Sequence, residues 1–244
     1  MQKKNLNQYL QNMMSSNLER LKIIAEGLGE LNKQVAFVGG SVAELYANNP
    51  AATEIRMTED VDCVIELATY RGLYELEDII RKKGFANDTT PGAPICRWIY
   101  KGETVDIMPD DRNVLGFTNQ WYKPAFAHRI EIKLSDGTPI FIFPTLYYLA
   151  TKIEAIKGRG GDDLRFSHDF EDLIYVLNNC EQIISIFDTE ENEALICYLA
   201  SWANEMLLRQ NGREEIECAL PYGDYNRLDY ILEIISHFAK RHVE

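Results

Sequence analysis

Several residue types that build small catalytic or metal sites are scarce in this sequence, and their scarcity narrows the reading at once. There are five cysteines (Cys63, Cys96, Cys180, Cys197 and Cys218) among 244 residues. They are odd in number, widely scattered and never spaced as CxxC, so neither a zinc knuckle nor a disulfide framework is supported. Four scattered histidines make no metal site, and His128 and His168 read as surface or capping residues. The sequence contains no G-x-x-x-x-G-K-[ST], no G-x-S-x-G and no HExxH, so P-loop, α/β-hydrolase and zincin chemistry have no support. The N-terminus has no apolar core that would serve as a signal peptide. The longest uncharged run, Gly137–Thr151, is interrupted by Pro144 and falls short of the ~20 apolar residues of a membrane span. A reducing cytoplasm without a membrane partner is the expected setting.

Positive charge is scarce as well. Against 38 acidic side chains there are 25 Lys and Arg, a formal charge of −13. The deficit is uneven: residues 1–150 carry 16 basic and 19 acidic side chains (−3), while residues 151–244 carry 9 and 19 (−10). A non-specific grip on nucleic acid needs many phosphate-facing cations, which the C-terminal part lacks. That part suits a cationic partner or a plain solvated surface.

What is present is a change of periodicity along the chain. Residues 16–31 have helical spacing, with Leu21, Ile24 and Leu28 on one stripe. A strand at Val35–Val38 ends in Gly39-Gly40-Ser41, followed by a short helix over 41–47. Val61–Leu67 reads as a strand and Tyr74–Lys83 as a helix closed by Gly84. Two strand pairs follow: Ile95–Tyr100 with Thr104–Met108 around Lys101-Gly102, and Arg129–Leu134 with Pro139–Phe143 around Ser135-Asp136-Gly137. From Pro144 the pattern turns helical. One helix carries Leu149, Ile153 and Ile156, and a second carries Phe170, Ile174 and Leu177. A third starts from an Asp188/Glu191 capping box and ends near Leu208, with Gly212 beyond it, and a last runs from about Asp224 to Arg241. The expected fold is α+β: residues 1–143 form a small mixed β-sheet domain with flanking helices, and residues 144–244 form a helical C-terminal domain.

The chemistry concentrates in the first half. In Asp60-Val61-Asp62 the two acids lie two apart at the start of an apolar strand, so both project to one face. Neighbouring carboxylates repel unless a cation or a shared proton compensates. Oxygen ligands of this kind suit a divalent metal. Asp106, inside Thr104-Val105-Asp106-Ile107-Met108, is a lone acid among apolar residues, a placement that is costly unless it is paired or metal-bound. A neighbouring strand would bring it to the same cluster. Gly39-Gly40-Ser41 permits close backbone approach to a phosphate. Arg56 suits either a phosphate or an ion pair with Glu59. From the residues alone, Lys152 reads as a snorkelling surface lysine. Asp169 and Asp172 share a helix face, which suits a solvated acidic face or a helix start as well as a site.

These motifs resemble a known family. Phe37-Val38-Gly39-Gly40-Ser41 followed by Arg56-Met57-Thr58-Glu59-Asp60-Val61-Asp62 is similar to the signature of the nucleotidyltransferase superfamily related to DNA polymerase beta. The Arg-x-Thr-x-Asp-x-Asp form is most similar to the AbiEii-type toxin nucleotidyltransferases. So are the segments around Ala150-Thr151-Lys152 and Arg165…Asp169-Phe170-Glu171-Asp172-Leu173. The resemblance covers about residues 35–178, and the eighteen residues between Ser41 and Asp60 imply an inserted turn near Asn48–Thr53. It implies transfer of a nucleotide from an NTP such as ATP to a hydroxyl, with release of pyrophosphate. Gly39, Gly40, Ser41 and Arg56 would bind the triphosphate. Asp60, Asp62 and Asp106 would hold magnesium, as two ions, with Asp106 helping to deprotonate the acceptor. Lys152 and Asp169 would complete the site, with Lys152 meeting the triphosphate. The acceptor is an RNA such as tRNA, with an antitoxin protein as partner, or a small cationic molecule of the aminoglycoside kind. A non-catalytic binding module on the same fold is the reading of another class.

Overall fold

The computed structural model describes residues 16–52, 55–67, 69–116, 118–159, 162–221 and 226–241. Thr53, the loop glycines Gly160 and Gly161, and the expected start of the last helix at Asp224 lie outside them. Two compact units are present. One takes the chain up to Val42 together with Arg56–Phe143; the other takes Ala43–Ile55 together with the chain from Pro144 onward.

The first unit is built on a seven-stranded mixed sheet. Its strands are β1 (Val35–Val38), β2 (Val61–Ile65), β3 (Ala86–Asn87), β4 (Arg97–Tyr100), β5 (Glu103–Pro109), β6 (Ile130–Lys133) and β7 (Pro139–Ile142). They lie in the order β3-β4-β5-β2-β1-β7-β6. β1 is antiparallel to β2 and parallel to β7, and β2 is parallel to β5. The central strands are apolar because both faces are covered: all four residues of β1 are buried, as are Val61, Cys63, Val64 and Ile65 of β2. Helix α1 (Asn17–Leu28) opens at Ser16, whose hydroxyl accepts from the Glu19 amide, and buries Leu21, Ile24 and Leu28. Helix α2 (Tyr70–Lys82) starts one turn earlier than its apolar pattern suggests, because Thr69 caps it and Leu76 and Ile80 alone carry its buried stripe. Two short helices, α3 (Arg112–Leu115) and α4 (Tyr122–Ala127), follow β5.

The turn between β4 and β5 sets the geometry of the site. Lys101 and Gly102 both have positive φ, at 48° and 90°, as a two-residue hairpin turn of the primed kind requires. Such a turn fixes the register, and Arg97 pairs with Asp106. β2 ends at Ile65, short of the expected Leu67. Asp110 stops it there: its amide donates to the Ile65 carbonyl and its carboxylate accepts from the Leu67 amide at 3.0 Å.

The second unit is helical: α5 (Thr145–Arg159), α6 (His168–Asn179), α7 (Ile183–Thr189), α8 (Glu193–Leu208), α9 (Gly212–Cys218) and α10 (Asn226–Lys240). Its core holds Leu149, Ile153, Phe170 and Ile174, with Phe187 stacked on Phe238 at 4.0 Å. The segment expected as a helix over 41–47 is a 3₁₀ helix, Gly40–Tyr46. Beyond it, Asn48 and Asn49 donate their amides to the Asn179 carbonyl, and the Tyr46 ring lies 4.5 Å from that of Tyr148. This segment therefore groups with the helices. Ala52 donates to the Asn49 carbonyl, closing a turn inside it. The expected capping box at Asp188 is replaced by a cap at Asn192, which accepts from the Leu195 amide. Asp188 belongs to α7 and meets His237 Nε2 at 2.8 Å. Gly212 opens a further helix, α9. Among the described residues no helix is long and apolar enough to cross a membrane.

Candidate active site

The acids of the first unit are positioned by strand register. Asp62 on β2 pairs with Asp106 on the parallel neighbour β5, and with Val38 on the antiparallel neighbour β1. Paired residues on adjacent strands project to the same face, with the strands ~4.7–4.9 Å apart. Val61, Cys63 and Ile65 turn to the opposite, buried face. Asp60 lies in the bend just before β2.

Directly after β1 the chain turns at Gly39, whose φ is +74°. A Cβ on Gly39 would lie 2.0 Å from Asp62 Oδ2. The glycine therefore serves two purposes: it tolerates the left-handed backbone, and it leaves room for the carboxylate. Ser41 is fully buried and its hydroxyl donates back to the Val38 carbonyl at 3.4 Å. The Gly39-Gly40-Ser41 turn and Asp62 are thus brought together at one end of the central strands β1 and β2.

Arg97 is the residue that the sequence reading missed. Its Nε and Nη2 donate to Asp106 Oδ1 and Oδ2, each at 2.8 Å, and Nη2 also donates to Asp60 Oδ2 at 2.7 Å. The two-bond fork on Asp106 is the strong, directional form of Arg–carboxylate pairing. One guanidinium thus joins Asp60 to Asp106. The signal was present in the sequence, because a two-residue turn at Lys101-Gly102 forces Arg97 opposite Asp106.

A second arginine holds the backbone that leads into the acids. Arg20 of α1 is buried; its Nε donates to Glu103 Oε2 at 2.6 Å, and its Nη atoms donate to the carbonyls of Thr58 and Glu59. Asn17, one turn earlier, accepts from the Thr58 amide and donates to the Arg56 carbonyl, each at 3.0 Å. Thr58 in turn donates its hydroxyl to the Asp60 carbonyl at 2.8 Å. Arg56 lies on this anchored segment.

The electrostatics follow from burial and from the pairs. Burial raises the Asp60 pKa, and the neighbouring Asp106 carboxylate adds to the rise against the pull of Arg97. The hydrogen bonds to Asp106 hold the Arg97 guanidinium even more firmly charged than usual. Burial pushes the Cys63 thiol well up, and burial with the Asp106 charge pushes Cys96 up to about 12. Neither thiol is a nucleophile at neutral pH.

Lys152 and Asp169 belong to the helical unit. Lys152 is buried rather than snorkelling, and its Nζ donates to Asp169 Oδ1 at 3.1 Å and to Asp172 Oδ2 at 2.6 Å. Arg159 adds a bond to Asp169 from the surface. Burial pulls the Lys152 pKa down, but Asp172 and Asp169 outweigh it and the net shift is upward.

Asp62 and Asp106 on one sheet face, with Asp60 joined to Asp106 through Arg97, supply carboxylate oxygens of the hard kind that divalent cations take. In this arrangement the cation that two of them hold is the Arg97 guanidinium. Among the described residues no three His, Cys, Asp or Glu side chains are gathered as a ready-made metal cage. The oxygen donors are of the kind magnesium takes, and two of the carboxylates already have Arg97 as their counter-charge.

No protein-family model matches the chain, and no curated protein matches it. Among solved structures, the chain is similar to the crystal structure of an antigenic nucleotidyltransferase-like protein from Paracoccidioides brasiliensis. The identity is 17%, the TM-score is 0.48, and the match covers 83% of this chain and 93% of that one.

Proposed function

We propose that the sheet unit carries a nucleotidyl-transfer site that moves a nucleotide from an NTP to a hydroxyl acceptor and releases pyrophosphate. The observation that carries this reading is the register of Asp62 and Asp106 on adjacent parallel strands, beside the Gly39 turn that gives Asp62 its space. The motif resemblance supplies the chemistry. Asp60, Asp62 and Asp106 would hold two magnesium ions. When bound, these neutralise the triphosphate, lower the pKa of the attacking hydroxyl and stabilise the leaving pyrophosphate. Asp106 accepts the proton of the acceptor hydroxyl. Gly39, Gly40 and Ser41 bring their backbone to the triphosphate, and Arg56 faces its outer charge. Arg20 and Asn17 keep the 56–60 segment in place, so that Asp60 and Asp62 keep their spacing.

Lys152 and Asp169, which the resemblance also gives to the site, are paired with each other within the helical half, where Lys152 also meets Asp172. In our reading they hold helices α5 and α6 together.

Two acceptors have specific support. The Arg56…Asp62 motif form favours an RNA such as tRNA, in a cytoplasmic toxin held by an antitoxin protein. The −10 charge of residues 151–244 favours a small cationic acceptor of the aminoglycoside kind. Incubation with each α-labelled NTP, Mg²⁺, total tRNA and a panel of aminoglycosides separates them. Label on RNA supports the first and label on the drug supports the second. Label on neither, with the protein folded, overturns nucleotidyl transfer and leaves a non-catalytic binding module.

A further inference from the structure

The acid site holds a cation of its own, and that fact has a consequence for metal binding. Arg97 uses both oxygens of Asp106 and one oxygen of Asp60, through bonds of 2.7 to 2.8 Å. A divalent ion bound by the same carboxylates would compete for the same oxygens, at ~2.0–2.1 Å for magnesium. A guanidinium stays protonated at any pH the fold survives, so it cannot make way by losing its proton. Two cations on the same oxygens also repel each other. Ion and guanidinium therefore compete at Asp106 and Asp60.

The surroundings allow exchange. The Arg97 side chain is 25% exposed and that of Asp60 31% exposed, so the guanidinium has water to enter and a long flexible stem on which to move. Its Cα is fixed by the β4–β5 ladder opposite Asp106, so it returns to the same oxygens when the ion leaves. Buried carboxylates without a cation repel, and Arg97 relieves that repulsion in the metal-free protein.

We propose that Arg97 is the resident counter-cation of the acid site, and that a divalent metal ion enters by displacing it. The inference rests on the proposed metal-dependent reading of these acids. Arg97 then acts as a positioning residue: it stabilises the empty site and weakens the affinity for free metal.

The test uses the full chain with Mn²⁺ alone. Binding is measured by the loss of the free-ion electron paramagnetic resonance signal, for wild type, Arg97→Met, Arg97→Lys and Asp106→Asn. Exchange predicts that Arg97→Met binds Mn²⁺ about tenfold tighter than wild type, the scale of one close charge pair. Arg97→Lys, which keeps the charge without the fork, falls between them, and Asp106→Asn loses the ion. Metal-free Arg97→Met melts below wild type, and Mn²⁺ closes the gap. If Arg97→Met does not fold, Arg97→Lys decides alone: tighter binding than wild type supports exchange, equal or weaker binding overturns it. Wild type binding Mn²⁺ with Arg97→Met no tighter overturns the exchange but leaves nucleotidyl transfer standing. Tighter binding in Arg97→Met with no label transfer by wild type keeps the exchange and removes the reaction. No Mn²⁺ binding by any of the proteins overturns both.

Discussion

Each unit of the protein contains acids gathered round one basic side chain, and the two groups differ in their access to water. In the sheet unit, Arg97 joins Asp60 and Asp106, and all three side chains keep some exposure, from 10% to 31%. In the helical unit, Lys152 joins Asp169 and Asp172, and none of the three exceeds 8%. Charges that keep water can trade one partner for another at modest cost, whereas a dry charge that loses its partner is left uncompensated. The same pairing of acids with one base therefore serves exchange in one unit and cohesion in the other.

The comparison is tested most severely by Lys152→Met. Asp172, fully buried, would lose its Lys152 bond, while Asp169 would retain Arg159. Breaking such a pair costs about 3–5 kcal/mol, and urea unfolding should show a loss of that size. The Lys152→Met/Asp172→Leu double variant should recover most of it, because replacing both charges by apolar groups is close to neutral. A Lys152→Met protein as stable as wild type, but with a raised KM for NTP, would move Lys152 from cohesion to phosphate contact.

Gly39→Ala sharpens the same contrast from the sheet side. The left-handed φ costs a non-glycine residue roughly 1–2 kcal/mol, and the new Cβ would displace the Asp62 carboxylate. The expected outcome is a modest loss of stability with a much larger loss of label transfer. Equal losses in both would mean that Asp62 is only packing.

Part of the acid arrangement is legible in the sequence alone: the apolar setting of Asp106 marks it as a paired group, and Arg97 is its partner. Arg97 was legible too, but only through the turn. Counting outward from Lys101-Gly102 pairs Tyr100 with Glu103 and, three steps further, Arg97 with Asp106. Arg20 was not legible in this way. Its partners Thr58 and Glu103 lie 38 and 83 residues away, and nothing in a local pattern says that α1 packs its one buried arginine there. The Lys152 pair is of the same kind: Asp172 is 20 residues on, across a loop and on another helix. The helical half also deceived at its caps, since Asp188 followed by Glu191 has the spacing of a helix start while the chain uses Asn192.

The smallest expected effect marks the exposed extreme of the comparison. Lys22 and Asp136 form a 2.7 Å pair between α1 and the β6–β7 turn, both partly in water. The Lys22 hydrogen bond lowers the Asp136 pKa from 3.8 to about 2. A depressed acid stabilises the fold above its unfolded pKa and loses that contribution as pH falls through the folded value. Between pH 3.8 and about 2 wild type should therefore lose slightly more stability than Asp136→Asn, and at neutral pH the two should differ little. A sizeable difference at neutral pH would make this surface pair more than a screened contact.

The most direct measurement joins folding to chemistry in one variant. Asp62→Asn is melted without metal and assayed for transfer of labelled nucleotide, beside wild type. Because Asp62 is read as a working acid rather than a structural partner, its melting temperature should change by no more than about 4 °C, the scale of 1 kcal/mol in a chain of this size. Label transfer should fall by about 10³-fold or more, as expected when a group that holds the metal and stabilises the transition state is removed. Undiminished transfer, or a melting temperature that collapses with it, would contradict the account.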